Sequence, residues 1–291
     1  MNAILAALAQ VLEEWDHGAL AVIDGAAFAN APSAFANVGL AVQPLFLETG
    51  SRPAPTSGPF VVSLDPPARR RFLSVPRVEQ SCVLWRGPVD AVLAYRHFRG
   101  LNQARIPCSE ALDGTDRVLF RHWDPAVLAL TFPLMTAAQR ARLFGPLRGL
   151  ALYSTDERRV VQARWKASWP RAPRGALTFS PAQMEAISEG MRRRSHRKVA
   201  LYLRRNAEEH TAPLDDAALV AFVAESEVQA REWGVRSEAG LGRFAWLQLV
   251  TQSRFASMPD VRTAVSADGT PDANLRKLMN LAAFRMRHGI V

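Results

Sequence analysis

The sequence is poor in three features, and each shortage excludes a class of protein. Only two of the 291 residues are cysteines, Cys82 and Cys108, so the fold does not depend on a disulfide framework. No apolar run approaches the roughly 20 residues that a membrane-spanning helix needs. Residues 1–50 contain no lysine or arginine, which excludes the basic start of a secretory signal peptide. We therefore expect a cytosolic protein with reduced thiols and no membrane partner.

Lysine is also scarce, although the chain as a whole is basic. Lys166, Lys198 and Lys277 are the only lysines among 36 basic residues, which face 27 acidic residues and give a net charge of +9. Such an excess of arginine over lysine follows from genome base composition as readily as from a binding role. Hydrophobic residues make up 48% and charged residues 22%, a composition typical of globular proteins and not of disordered ones.

Hydrophobic periodicity predicts an α+β fold in two lobes. An amphipathic helix over 2–15 and several short apolar runs predict an N-terminal lobe, residues 1–168, with a mixed sheet and flanking helices. The proline- and glycine-containing segment 169–175 predicts a linker. Residues 176–291 carry almost no strand signal and predict an all-helical lobe. The predicted strands are 19–23, 42–47, 60–64, 82–85, 104–107, 117–123, 150–153 and 160–165.

Start and stop signals place several helices. Thr136 with Gln139, and Ser180 with Gln183, have the spacing of capping boxes. In the second lobe we expect helices over 181–205, from Asp215 to Trp233 and over 241–255, and a last one that ends at Gly289. The helix over 241–255 is apolar on nearly all sides, which predicts a buried central position.

The familiar nucleotide-binding and catalytic motifs are missing from the sequence, including glycine-rich phosphate loops, nucleophile elbows and paired metal-ligand motifs. Three carboxylates nevertheless follow predicted strands, because Asp24, Asp65 and Asp124 each stand there before a glycine or a proline. They could bind a divalent metal in an enzyme if they converged. Alternatively, each caps a turn or a helix, which is the usual role of aspartate in this position.

Two histidines of the first lobe, His97 and His122, are candidates for a general base acting with a nearby aspartate. No nucleophile is identifiable beside either one, so a structural role is the alternative. His122 alternates with Val118 and Phe120, which predicts an interior position and a hydrogen bond to a backbone carbonyl.

A basic run over Arg192–Arg205 is the strongest charge feature, with seven basic residues and no acidic one. On one continuous helix, its cations share a broad face that also holds Ile187 and Leu201, whereas Met184, Met191, Val199 and Tyr202 fall on the opposite, core-facing side. The residues predicted for a partner-binding face are Arg193, Arg194, Arg197, Lys198, Leu201, Arg204 and Arg205.

Three interpretations of this face stay open. The first is a docking surface for an acidic partner, and the second is a solvated helix face without a binding role. In the third, the acidic segment 206–238 folds back onto the helix and neutralises its charge. A nucleic-acid-binding role is a further alternative, but neither a recognisable module nor an interleaving of basic and aromatic residues supports it.

Five blocks in the first lobe occur in an order that resembles a known family. They are Ala21-Val-Ile-Asp-Gly-Ala26, Gly58-Pro-Phe-Val-Val-Ser-Leu-Asp-Pro66, His97-Phe-Arg99, Val118-Leu-Phe-Arg-His-Trp-Asp-Pro125 and Leu143-Phe-Gly-Pro146. The series resembles the type VI secretion adaptor family, also described as effector chaperones. Ala21, Val22 and Phe60 depart from the residues common in that family, which affects packing more than identity.

The resemblance implies a non-enzymatic bacterial adaptor without a cofactor. Such a protein binds a secreted effector and helps to load it onto a valine-glycine-repeat spike protein. Its recurrent residues are expected to build the scaffold, and the binding surfaces would be the basic helix face, the loop Glu48–Gly58 and exposed sheet edges. The scaffold residues are Asp24, Gly25, Asp65, Pro66, His97, Arg99, Arg121, Asp124 and Pro125.

Overall fold

The structure is a computed structural model that describes residues 3–15, 18–46, 56–87 and 90–288. The chain divides into two compact units, Met1–Ser188 and Glu189–Val291. The first unit combines helices with two sheets that contain antiparallel and parallel pairings, and the described part of the second unit consists of helices and turns. The fold is therefore α+β, as the sequence predicts.

Short strands and helices alternate in the first unit, and its last helix continues into the second. In chain order the elements are α1 (Ala3–Glu14), β1 (Ala19–Asp24), α2 (Ala31–Ala36), β2 (Gln43–Pro44), β3 (Pro59–Ser63), α3 (Pro66–Leu73), β4 (Cys82–Arg86), α4 (Ala91–Arg99), β5 (Gln103–Pro107), β6 (Thr115–Leu119), α5 (Pro125–Thr131), α6 (Ala137–Phe144), β7 (Gly149–Ser154), β8 (Arg159–Arg164), β9 (Leu177–Thr178) and α7 (Pro181–Asn206).

A six-stranded antiparallel sheet, in the order β2-β3-β1-β4-β7-β8, forms the centre of the first unit. Both faces of its central strands are covered, which explains why β1, β3, β4 and β7 read as apolar runs and do not alternate. In β1, Ala21 and Ile23 join the core that contains Phe35 and Phe72. Leu20 and Val22 join the opposite core, which contains Trp85. A smaller sheet has the order β6-β5-β9.

The predicted helix starts are confirmed at the level of individual hydrogen bonds. Thr136 and Gln139 form a reciprocal capping box at the start of α6. Ser180 and Gln183 do the same at the start of α7. Each box satisfies backbone N–H groups that the first helical turn leaves without a partner.

The second unit packs around one helix. Its further elements are α8 (Glu208–Thr211), α9 (Asp216–Glu232), α10 (Glu238–Val250), α11 (Val261–Ser266) and α12 (Pro271–Arg287). Nine residues of α10 are buried, so the prediction of a central helix is confirmed, although the helix begins and ends earlier than 241–255. Trp233 packs edge-on against Phe244 and lies 6.0 Å from Phe255, and these rings form the aromatic centre of the unit.

The boundary between the units differs from the predicted linker at 169–175. The contact division falls between Ser188 and Glu189, within α7. Residues that follow the proline-rich segment still belong to the first unit, because Leu177 pairs with Ala104 in the smaller sheet and Phe179 donates its N–H to the carbonyl of Arg105. Proline and glycine thus mark a loop between paired elements and not the domain boundary.

Two predicted strands are shorter than the apolar pattern suggests. Of the described residues 42–46, only Gln43–Pro44 are strand, and β6 ends at Leu119, so it covers only 117–119 of the run 117–123. After Phe120, successive tight turns bring His122 N–H to the carbonyl of Phe120 and Asp124 N–H to that of Arg121. The chain therefore turns into α5 where the pattern predicts a continuing strand.

The predicted facing of α7 is wrong in part. Met191, expected to face the core, is 56% exposed, whereas Ile187, expected within the charged face, is buried. Ile187 belongs to the core of the first unit, while Val199, Ala200 and Leu203 belong to the core of the second. A helical wheel drawn over the whole of α7 assumes a single buried side. The two halves of the helix pack in different cores, so each half has its own buried side.

Candidate functional site

Asp24 and Asp124 lie on either side of one arginine. Nη2 of Arg121 is 2.8 Å from Oδ2 of Asp24 and 3.2 Å from Oδ2 of Asp124. The other oxygen of each carboxylate accepts backbone N–H groups, from Ala26 in the first case and from Ala126 in the second. Both oxygens of each aspartate are therefore engaged, and the guanidinium joins the end of β1 to the start of α5.

Asp65 has a separate capping role. Its Oδ1 accepts the N–H of Ala68 at 2.8 Å, and Pro66 occupies the first position of α3. Among the described residues, no group of three or more His, Cys, Asp or Glu side chains has an arrangement that could hold a metal ion. Capping therefore accounts for all three aspartates, and the convergence that the metal-enzyme hypothesis requires is not found among them.

His97 connects two of the sequence blocks. Its Nε2 lies 2.9 Å from the carbonyl oxygen of Leu143 and donates to it. Gly145, at φ +51°, leaves the space that the imidazole fills, because a Cβ on Gly145 would lie 2.3 Å from Cε1 of His97. The histidine and the Leu143–Pro146 turn are therefore one packed unit.

His122 is completely buried, as the sequence predicts, and its Nε2 has a side-chain partner. Its Nε2 lies 3.1 Å from Oδ1 of Asn102, whose amide nitrogen donates to the carbonyl of Leu45. This orientation leaves Oδ1 as an acceptor, so Nε2 of the imidazole carries the proton. The ring stacks on Phe98, which places His122 in the core.

Burial keeps both histidines neutral. It lowers the pKa of His97 to about 4, with a smaller contribution from the nearby Arg142, and it lowers the pKa of His122 to about 3, assisted by the charge of His97. The unfolded chain, with a histidine pKa of about 6.5, therefore binds more protons than the folded chain below that pH. The contribution of the two neutral histidines to the free energy of unfolding is therefore complete above pH 6.5, and it is lost as the pH falls toward 4.

We expect the free energy of unfolding to decrease as the pH falls from 6.5 to 5. Each buried neutral histidine contributes a slope that approaches about 1.4 kcal/mol per pH unit. Urea unfolding at several pH values measures the slope, and His97→Gln should reduce it. A free energy that stays constant from pH 6.5 to 5 would contradict neutral burial of these rings.

The other scaffold residues are also explained by local contacts. Gly25 approaches Gly58 so closely that a Cβ on Gly25 would lie 2.2 Å from the Gly58 carbonyl oxygen. The guanidinium of Arg99 lies 5.5 Å from the centre of the Tyr95 ring. Pro125, like Pro66, occupies the first turn of its helix. Each of these residues thus has a cap, turn or packing role in the structure.

The acidic segment 206–238 folds back onto the basic helix at several points. Oε2 of Glu227 lies 2.6 Å from Nε2 of His196, and Oε1 of Glu238 lies 3.3 Å from Nζ of Lys198. Arg204 donates to the carbonyls of Thr211 and Leu214 and pairs with Asp216. These contacts support the masking alternative for part of the face.

The remaining residues of the predicted face differ in their exposure and in their ion pairs. Arg193 pairs with Glu189 one turn earlier on the same helix. Leu201 is 52% exposed, and Arg197 and Arg205 are exposed. Arg204 is half-buried, and its contacts with two carbonyls hold the chain after α8, which gives it a structural role. The open part of the face is centred on Arg194, Lys198, Leu201 and Arg205.

Sequence analysis does not reveal two features of the described residues. The first is the double engagement of Arg121, which depends on a contact between residues 97 positions apart. The second is a cleft between α7 and α10 beside Lys198. Of the predicted loop Glu48–Gly58, residues 48–55 lie outside the described residues. Within the described part of the chain, no helix is both long enough and apolar enough to cross a membrane.

Comparison with known proteins gives one match. No significant match was found among curated proteins or among solved structures. Residues 20–142 match the model of a protein family described as "Domain of unknown function (DUF4123)". The match begins in β1 and ends in α6, and it includes Asp24, Asp65 and Asp124. Less than half of the 291 residues are thus similar to this family, and the similar part lies within the first unit.

Proposed function

We propose that this chain is a non-enzymatic adaptor that binds a secreted effector of a type VI secretion system and helps to load it onto a valine-glycine-repeat spike protein. The observation that carries the proposal is the match of residues 20–142 to DUF4123, a domain associated with effector adaptors of this system. The order of the five sequence blocks, four of which lie within the matched residues, supports the same assignment.

The contacts of the recurrent residues agree with this role. Arg121 bridges Asp24 and Asp124 and thereby fixes two elements, while the imidazoles of His97 and His122 are held in the core. An enzyme would need a reactive group within reach of a substrate, and capping or packing already accounts for each of these side chains. The arrangement suits a rigid scaffold that presents binding surfaces.

Coexpression tests the proposal. The full chain, carrying an affinity tag, is produced together with the effector and the spike protein encoded beside it, and the purified material is analysed by size-exclusion chromatography with light scattering. We expect a complex whose mass exceeds 32.1 kDa by that of a bound partner. Elution of the 32.1 kDa chain alone, with both partners present and soluble, would contradict the proposal.

The metal-dependent enzyme is the second candidate, and the same preparation tests it. If Asp24 and Asp124 bound a catalytic cation, Arg121→Met would free both carboxylates and change metal affinity, as measured by calorimetry with Mg²⁺ or Mn²⁺. We expect no cation binding in either form, and a loss of stability in the variant because two buried or half-buried carboxylates lose their counter-charge.

A further inference from the structure

A cleft of about 290 Å³ opens between α7 and α10 in the second unit. Val199, Tyr202 and Gly242 line it, together with Lys198 and Glu238, which are about half exposed. Its volume is slightly below the range of about 300–1,000 Å³ that small-molecule sites occupy. The cleft therefore has room for one or two side chains of a partner.

Gly242 keeps the cleft open. It lies inside α10, where glycine costs about 1 kcal/mol relative to alanine. An added Cβ would meet only the Tyr202 ring, at 3.7 and 3.8 Å, which is ordinary contact. Packing therefore does not require a glycine here, and helix stability would favour a larger residue. Gly242 therefore leaves open a space that a larger side chain would fill.

The surroundings of the cleft are basic and partly apolar. Arg194, Lys198, Leu201 and Arg205 are spaced so that they follow one side of α7. Leu201 is 52% exposed, and the described side chains form no ion pair with Arg194 or Arg205. The Lys198–Glu238 pair at the cleft is exposed, and such pairs contribute about 1 kcal/mol or less. An approaching carboxylate can therefore compete with Glu238.

We infer that this cleft binds an acidic segment of the partner protein, with an apolar side chain of the segment packed into the cleft against the edge formed by Tyr202 and Gly242. An apolar anchor in a pocket with a charged rim is the usual arrangement of an interface hot spot. The inference rests on the proposed adaptor function only for the identity of the partner, which would be the effector or the spike protein.

The acidic segment of this chain itself does not fill the cleft. Glu227 is held by His196 and Arg231, and Asp216 lies against Arg204. Only Glu238 of that segment reaches the cleft, through its contact with Lys198. A nucleic-acid duplex would satisfy the arginines but has no projecting apolar side chain to insert beside Tyr202, so the observations favour an acidic protein segment.

The test uses the purified full chain and needs neither the effector nor the spike protein. A random peptide library displayed on phage is selected on the immobilised chain, and the recovered peptides are synthesised and titrated by fluorescence anisotropy. Four proteins are compared: the wild type, Gly242→Leu, the double variant Arg194→Glu/Arg205→Glu, and Arg171→Glu/Arg174→Glu as a charge-matched control on exposed residues of the first unit.

We expect the selected peptides to be acidic and to share at least one apolar residue. Their Kd should rise at least tenfold in Gly242→Leu and in Arg194→Glu/Arg205→Glu, and should change less than twofold in the control. Circular dichroism verifies that each variant is folded, and the double variant, whose residues lie outside the core, keeps the test decisive if Gly242→Leu destabilises the unit.

Three results would overturn the inference: no enrichment of acidic peptides, equal affinity in all four proteins, or preferential binding of a duplex oligonucleotide that the same double variant abolishes. Because the selection omits the secretion partners, its failure is distinguishable from failure of the adaptor proposal. If an effector still coelutes with the cleft variants, the cleft is not the surface that binds it, whereas the adaptor function stands.

Discussion

Replacing Gly145 by alanine is expected to lower the free energy of unfolding by about 3–5 kcal/mol. The backbone at φ +51° and ψ −117° lies outside the region that an L-residue adopts without strain, which alone costs about 1–2 kcal/mol. In addition, the new Cβ would lie 2.3 Å from Cε1 of His97, so the imidazole must move. That movement breaks the hydrogen bond to the Leu143 carbonyl and disturbs the core around Phe98.

A double-mutant cycle separates strain from steric conflict. In a His97→Ala background the ring is absent, so Gly145→Ala should cost only the strain of about 1–2 kcal/mol. Gly114→Ala is a second control, because Gly114 also has a positive φ of +68° but no atom within 4 Å of the added Cβ. Equal costs of Gly145→Ala in both backgrounds, measured by urea denaturation, would contradict the packed contact between the two residues.

Replacing Trp233 by alanine should destabilise the second unit by about 3–5 kcal/mol. The indole is 8% exposed and contacts the rings of Phe244 and Phe255, which themselves lie 5.6 Å apart. Removing it leaves a cavity beside α10, the helix around which the unit packs. The aromatic contacts add about 0.5–1.5 kcal/mol each to the loss of buried area.

Hydrogen exchange locates this effect. Amide protection should decrease in α9 and α10 of the variant, because exchange there requires opening of the core that Trp233 completes. Leu281→Ala, at a 49% exposed position of α12, is the matched control and should change stability by no more than about 0.5 kcal/mol. A Trp233 variant with the stability of the Leu281 variant would mean that the packing of this unit is described wrongly.

Much of the fold is predictable because its signals are local. Asp65, Thr136 and Ser180 bond to backbone groups within three residues, so their capping roles follow from spacing alone. The central position of α10 follows from its uniformly apolar composition. The α+β class follows in the same way from the hydrophobic pattern, which changes along the chain from short strand-like runs to the helical period.

The remaining features depend on contacts that a single sequence does not contain. Arg121 reaches Asp24 across 97 positions, and Leu177 pairs with Ala104 beyond a proline-rich segment that reads as a linker. A helical wheel mispredicts the orientation of Met191 on α7, because it assumes that one core runs along the whole helix. The cleft beside Gly242 was missed since a glycine within a helix gives no indication of the space around it.

In the structure, only part of the basic charge is available to bind a partner. Several arginines are scaffold components: Arg142 donates to the carbonyls of Gly100 and Gly175, and Arg204 donates to two further carbonyls. Such arginines satisfy backbone acceptors and are not available to a partner. The cations that surround the cleft are a small subset, and they define the surface that the peptide selection examines.

Secretion of the effector tests the central claim most directly, namely that the chain acts by loading a partner and not by catalysis. The gene is deleted in the bacterium that encodes it, and the neighbouring effector and the spike protein are quantified in cells and in culture supernatant. We expect the effector to disappear from the supernatant while the spike protein is still secreted, and the wild-type gene supplied in trans to restore effector secretion. Unchanged effector secretion in the deletion strain would contradict the adaptor function.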